Sequence, residues 1–95
     1  MSHFAALPAG TRLHRLHVLG AGDANALLRL MEPFVVHDVT PVRIVCEAMA
    51  AGLEASFDFH ADAELAERLR QRIAALVVVA SARLMPAAGD LVAAA

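Results

Sequence analysis

Five histidines, one cysteine and ten carboxylates hold whatever acid–base, metal or nucleophilic chemistry this chain of 95 residues can do. An imidazole titrates near neutrality, so histidine is the first place to look for a proton carrier or metal ligand. His14 and His17 are three residues apart. On a strand that spacing puts them on opposite faces, so they cannot hold one ion together. His17 and His60 fall on the same side of the strands assigned below. That pair is the best candidate for a two-histidine site or a proton carrier. Strand histidines without any such role are the commoner case. His37 stands beside Asp38 at a helix end, where a cationic side chain suits the dipole and Asp suits a turn.

Cys46 is the one thiol. A single cysteine excludes an intramolecular disulfide and a cysteine-based metal site. No histidine stands near it in a nucleophile motif. Its β-branched neighbours make it read as a small apolar side chain buried in a strand. No pairing of acid and base reaches a common motif, so no catalytic residue, metal site or cofactor is assigned.

Composition narrows the partners. Net charge is −2 and the pI is about 6.2. Such a chain has no long-range attraction for nucleic acid or an anionic membrane surface. Residues Met1 to Gly10 have no basic, apolar leader pattern, and the longest apolar run, Ile73 to Ala80, is too short to span a bilayer. The cytoplasm is the expected compartment. Hydrophobic residues make up 59% of the chain and mean hydropathy is +0.58. A domain this small cannot bury that much inside itself, so a homodimer or a larger complex is expected.

The elements follow from spacing. Residues 1–11 read as an irregular arm broken by Pro8 and Gly10. Arg12 to Leu19 is a strand, with Leu16 and Val18 on one face and Arg15 and His17 on the other. Gly20-Ala21-Gly22 is a tight turn. Asp23 caps a helix whose stripe is Leu27, Leu30, Met31 and Phe34. Pro33 inside that pattern predicts a kink or an early end. Val42 to Met49 is a β-branched strand, and Ala50-Ala51-Gly52 turns it into a hairpin. Leu53 to Ala61 alternates cleanly: Leu53, Ala55, Phe57 and Phe59 on one face, Glu54, Ser56, Asp58 and His60 on the other.

Asp62 caps a second helix with Leu65, Leu69, Ile73 and Leu76 as its stripe. Arg68, Arg70 and Arg72 form a solvated face. Val77 to Met85 contains the last strand, ended by Pro86. Residues 87–95 read as a flexible small-residue tail. The order is thus β-α-β-β-α-β over one domain, 12–86. Right-handed crossovers fold that order into a ferredoxin-like α+β sandwich. It has a four-stranded antiparallel sheet, strand order 4-1-3-2, with two helices on one face. The other face stays open and carries Arg15, His17, Glu54, Asp58 and His60.

Two modules of this architecture are excluded. A copper-chaperone domain needs a Cys-x-x-Cys loop after the first strand. An RNA-recognition domain needs aromatics on the open face, and Phe57 and Phe59 lie on the helix side.

The stretch from Leu16 to Leu84 resembles an ACT domain, the small regulatory module of many amino-acid-metabolising enzymes. The likeness rests on the strand Leu16 to Leu19, the turn Gly20 to Gly22 and the helix start Asp23-Ala24-Asn25-Ala26-Leu27-Leu28-Arg29-Leu30. It continues through Phe34-Val35-Val36-His37-Asp38-Val39-Thr40-Pro41-Val42-Arg43-Ile44. Among free-standing chains of this length it is similar to the small regulatory subunit of acetolactate synthase. The resemblance implies a non-catalytic homodimer that binds a large catalytic subunit and responds to a small amino acid. The ligand residues it points to are Gly20, Gly22, Asp23 and Asn25. The family's loop carries Asp or Asn, a residue, then Pro-Gly. Here the matching positions are Gly22, Asp23, Ala24 and Asn25, and the Pro and Gly are absent. The expected dimer edge is the second strand, through Val42, Ile44 and Val45, which few charges guard. The alternatives are a ligand-free dimerisation domain, or a small dimeric enzyme using His17 or His60.

Overall fold

The computed structural model describes residues 10–87. The order is β1 (Arg12–Gly20), α1 (Ala24–Val36), β2 (Arg43–Met49), β3 (Gly52–Ala61), α2 (Ala63–Ala74) and β4 (Val79–Pro86). The strands form one antiparallel sheet in the order β2-β3-β1-β4, which is the expected 4-1-3-2 read from the other edge. Strand ends differ from the expected ones by one or two residues. The proposed arm and tail lie largely outside the described residues. Ala87 is buried, and its amide donates to the carbonyl of Leu13.

Alternation decides which side chains meet. Leu16 stands opposite Phe57 on β3 and opposite Leu84 on β4. Leu16, Val18, Ala55, Phe57 and Phe59 are all buried on this face, under both helices. Phe34 reaches down from α1, its ring 5.0 Å from that of Phe57 and 5.4 Å, edge-on, from that of Phe59. Full burial of one such side chain is worth roughly 1.5–3 kcal/mol, and aromatic pairs add to it.

Both helices start as expected. The carboxylate of Asp23 accepts the amide of Ala26 at 2.8 Å, and that of Asp62 accepts the amide of Leu65 at 2.7 Å. The buried stripe of α1 is rotated from the expected one. Ala26, Leu30, Pro33 and Phe34 are buried, while Leu27 and Met31 sit at its flank. Pro33 does not end the helix: α1 runs on to Val36.

The stop comes later and has another cause. Asp38 adopts φ 56°, its amide bonds to the Val35 carbonyl, and the Val39 amide bonds to the Phe34 carbonyl. That double closure is a Schellman ending, with Asp38 as the left-handed residue and Val39 packed on the core. In α2, Ala66, Leu69 and Ile73 are buried, and Leu65 and Leu76 pack beside them. Among the described residues no helix is long and apolar enough to cross a membrane.

Candidate functional site

Three regions bring together the residues singled out above. The first is the turn between β1 and α1. The amide of Ala21 donates to the carbonyl of Val78 at 2.8 Å, which ties the turn to the start of β4. A Cβ on Gly20 would lie 2.6 Å from that same Val78 carbonyl oxygen. Gly52, with φ +149°, crosses so close that a Cβ there would lie 2.4 Å from the Gly20 oxygen. Glycine is therefore required at 20 by the close backbone of Val78 and at 52 by the close approach of the β2–β3 hairpin to the turn. Beside that crossing lies a cavity of about 240 Å³, lined by Leu19, Gly20, Met49, Gly52, Leu53 and Ala80 among others. Gly22, Asp23 and Asn25 are exposed and do not line it. The Asp23 carboxylate is turned onto its own helix end, where it occupies the amide of Ala26.

The second region is the open face of the sheet. Arg15 reaches Asp58 through two hydrogen bonds, Nε to Oδ1 at 2.8 Å and Nη2 to Oδ2 at 3.0 Å. Asp58 is 5% exposed, so this forked pair satisfies a carboxylate shielded from water. His17 Nε2 lies 2.6 Å from Glu54 Oε2. Glu54 also stands directly opposite Glu47 on β2. His17 and His60 share this face, as expected, but they do not converge. His17 stands opposite Ser56, and His60 lies four residues along β3, about 13 Å away at strand rise. His14 is on the helix side, its ring 5.8 Å from that of Phe59 and its Nε2 3.0 Å from the Ala61 oxygen. No cluster of three metal-ligating side chains forms among the described residues.

The third region is β2. All seven of its residues are exposed. Val42 is 51% exposed, Ile44 45% and Val45 42%. The core takes side chains from β1, β3, β4 and both helices, and none from β2. This corrects the reading of Cys46 as a buried side chain: it is exposed. Its spacing places it on the helix side of the strand, opposite Ala55, but no helix covers that edge. The outer flank of α1 is apolar too, with Leu28, Val35 and Val36 between 65% and 74% exposed.

One feature escaped sequence reasoning. A cavity of about 350 Å³ lies where the end of α1 meets the start of α2, lined by His37, Asp38, Thr40, His60 and Asp62 among others. By local pattern His37 and Asp38 read as a helix end and turn, His60 as a strand residue and Asp62 as a cap. Only the sheet order brings the two helix ends together.

This architecture has counterparts among solved structures. The chain superposes on the ACT domain of GTP pyrophosphokinase from Chlorobium tepidum with a TM-score of 0.70 at 10% identity, covering 79% of this chain and 99% of that one. The chain has the ACT-domain fold. Two further structures share the architecture of this chain. The C-terminal domain of MgtC from Mycobacterium tuberculosis gives a TM-score of 0.65 at 12% identity, over 85% of this chain and 93% of that one. An uncharacterized protein of Thermotoga maritima gives 0.64 at 12% identity, over 80% and 96%. Neither a family model nor a curated protein matches the sequence. The ACT fold is therefore shared without close sequence kinship, and the likeness to acetolactate synthase small subunits in particular gains no support from it.

Proposed function

We propose that this chain is a non-catalytic ACT-like regulatory and interaction domain that acts as a homodimer. The observation that carries the proposal is the edge strand β2, exposed along its whole length and on both faces, in a fold otherwise closed around one core. An uncovered apolar edge is a pairing surface. The interface residues are Val42, Ile44 and Val45, and the partner beyond the dimer is a large subunit of an amino-acid biosynthetic enzyme such as acetolactate synthase. The effector is a small amino acid held near Gly20, Gly22, Asp23 and Asn25, with its carboxylate on the free amides that open α1.

Thermal shift against the twenty amino acids tests the ligand. A specific rise with valine, leucine or isoleucine supports the regulatory reading, because a ligand that binds only the folded state stabilises it. A flat response to all twenty removes the ligand. Affinity purification of the tagged chain from its native host, with the retained proteins identified by mass, tests the partner. Recovery without a large biosynthetic subunit counts against that assignment.

A second reading has an observation of its own. Asp23 places a negative charge where the ligand's carboxylate would sit, and Gly20 is accounted for by backbone packing. Both fit a ligand-free dimerisation domain, and the flat thermal response is its expected result.

A further inference from the structure

We propose that the cavity of about 350 Å³ where α1 ends and α2 begins binds an organic ammonium ion with a short apolar body. The site is separate from the turn between β1 and α1. Thr11 lines the cavity, and the whole length of β1 lies between Thr11 and that turn. The inference is independent of the homodimer and of the amino-acid ligand.

The first observation is that side chains without partners gather here. His14 bonds to the Ala61 carbonyl and His17 to Glu54. His37 and His60 have no partner among the described residues, and Nε2 of His37 is buried without one. Both of these imidazoles line the cavity. So do Asp38 and Asp62. Asp62 gives Oδ1 to the Leu65 amide, and its Oδ2 accepts nothing among the described residues. The Asp38 carboxylate has no partner among them either. Asp38 is also placed against its own interest. It holds φ 56°, where glycine or asparagine is usual, and it sets an anion at the C-terminal end of α1, where the dipole favours a cation. A bound cation turns that second cost into a gain.

Charge then selects the ligand. Two carboxylates line the cavity, and among the described residues no arginine does. The two helix ends contribute about −0.5 and +0.5 of a charge, which cancel. A cation is favoured and an anion repelled. A bare metal ion does not fit the same lining, because no three metal-ligating side chains converge among the described residues. The space is also far larger than the roughly 30 Å³ share of a single water. An ammonium group needs only one or two acceptors, and Asp38 and Asp62 offer them. Val39, Val42 and Leu65 supply an apolar wall for the methylenes behind it. The imidazoles of His37 and His60 accept any further N–H or O–H the ligand carries.

The test titrates the full chain, labelled with nitrogen-15, and follows its amide chemical shifts. Butylammonium is the probe, charged at neutral pH as a lysine side chain is. Butyrate and butanol are its anionic and neutral counterparts, and zinc chloride is the bare ion. Butylammonium should shift the amides of Asp38 to Val42 and His60 to Leu65, with a dissociation constant in the millimolar range for so few atoms. Butanol and butyrate should bind at least roughly tenfold more weakly. Asp38→Asn removes the charge and keeps a residue that tolerates the left-handed backbone, so the chain stays folded. It should weaken butylammonium roughly tenfold, with shifts far from the cavity unchanged. Equal binding of butanol and butylammonium would mean an apolar cleft with no recognition of charge, and overturns the proposal. So does a preference for butyrate, zinc that displaces butylammonium, an unchanged affinity in Asp38→Asn, or the lack of any shift localised to the cavity.

Discussion

β2 and β3 are the two arms of one hairpin, both rich in apolar residues, yet they share almost nothing in burial. Every apolar side chain of β3 is buried, and Phe57 and Phe59 are wholly enclosed. Every residue of β2 is exposed. The difference is one of position. β3 lies inside the sheet with β1 and β2 on its flanks and the helices above it. β2 is an edge, and α1 stops short of it. Two strands of similar composition thus end in opposite surroundings: one holds the fold together, and the other lies uncovered at its edge.

The largest expected effect falls on the covered strand. Phe57→Ala removes a side chain with no exposure, along with its ring contact to Phe34. It should cost about 3–5 kcal/mol in denaturant unfolding at fixed protein concentration. A loss under 1 kcal/mol would mean that the core is not as closed as the contacts show.

The next effect falls on the uncovered strand and should spare the fold. Val45→Lys puts a charge at the middle of the β2 edge, 42% exposed in the single chain. Dimer should become monomer in sedimentation, a change of at least about tenfold in dissociation constant, with the circular dichroism spectrum retained. If mass does not change, the interface is elsewhere. If Val45→Lys unfolds the chain, the contrast between the two strands fails from the other side.

Much of this contrast was legible in the sequence, and some of it was not. The alternation Leu53, Ala55, Phe57, Phe59 named the core face of β3 correctly because period two and a buried face are the same fact. The helix starts were legible because Asp23 and Asp62 act through their own neighbours. The outermost place of β2 was legible from topology, since the order 4-1-3-2 leaves the second strand at an edge.

Cys46 was misjudged because local pattern cannot say how far a helix reaches over a sheet. The early end expected at Pro33 does not occur, because its cost is local while the benefit of burying it against the core is not. The 350 Å³ cavity at His37 and His60 depends on two helix ends separated by 26 residues in sequence (37–62), and no local signal marks it. At the candidate ligand turn, Gly20 could be read as a glycine but not as a contact with Val78, since the partner comes from β4.

The helices above the sheet offer a smaller way to sharpen the comparison. α1 begins on the Asp23 cap, with no acidic residue in its first turn to share the work. Asp23→Ala should therefore cost about 1 kcal/mol of unfolding free energy. Asp23→Asn keeps a capping oxygen and removes the charge, so it should cost a few tenths at most. Run with the amino-acid panel, Asp23→Asn also separates the two functional readings. A thermal response that appears only in this variant would mean that the native carboxylate keeps a carboxylate ligand out.

The smallest effect comes from the outward face of α2, which is charged. Glu67 lies 2.6 Å from Arg70 one turn on, and its hydrogen bond to that guanidinium holds its carboxyl below the usual value near 4.5. A carboxyl whose value is lowered by folding binds its proton more readily in the unfolded chain. Its contribution to stability is fully present above about pH 4.5 and is lost as pH falls through the lower folded value. Arg70→Gln should remove that increment and flatten the acid limb of the stability curve by a small amount, with no change near neutrality beyond the loss of the pair itself. Raised salt should shrink the difference between the two proteins, since the pair lies in solvent. An equal acid limb in both would mean that α2 carries its charges purely as a solvated face. The helix whose outer side is charged would then owe its stability to its Asp62 cap and its buried stripe, as β3 owes its own to Phe57 and Phe59.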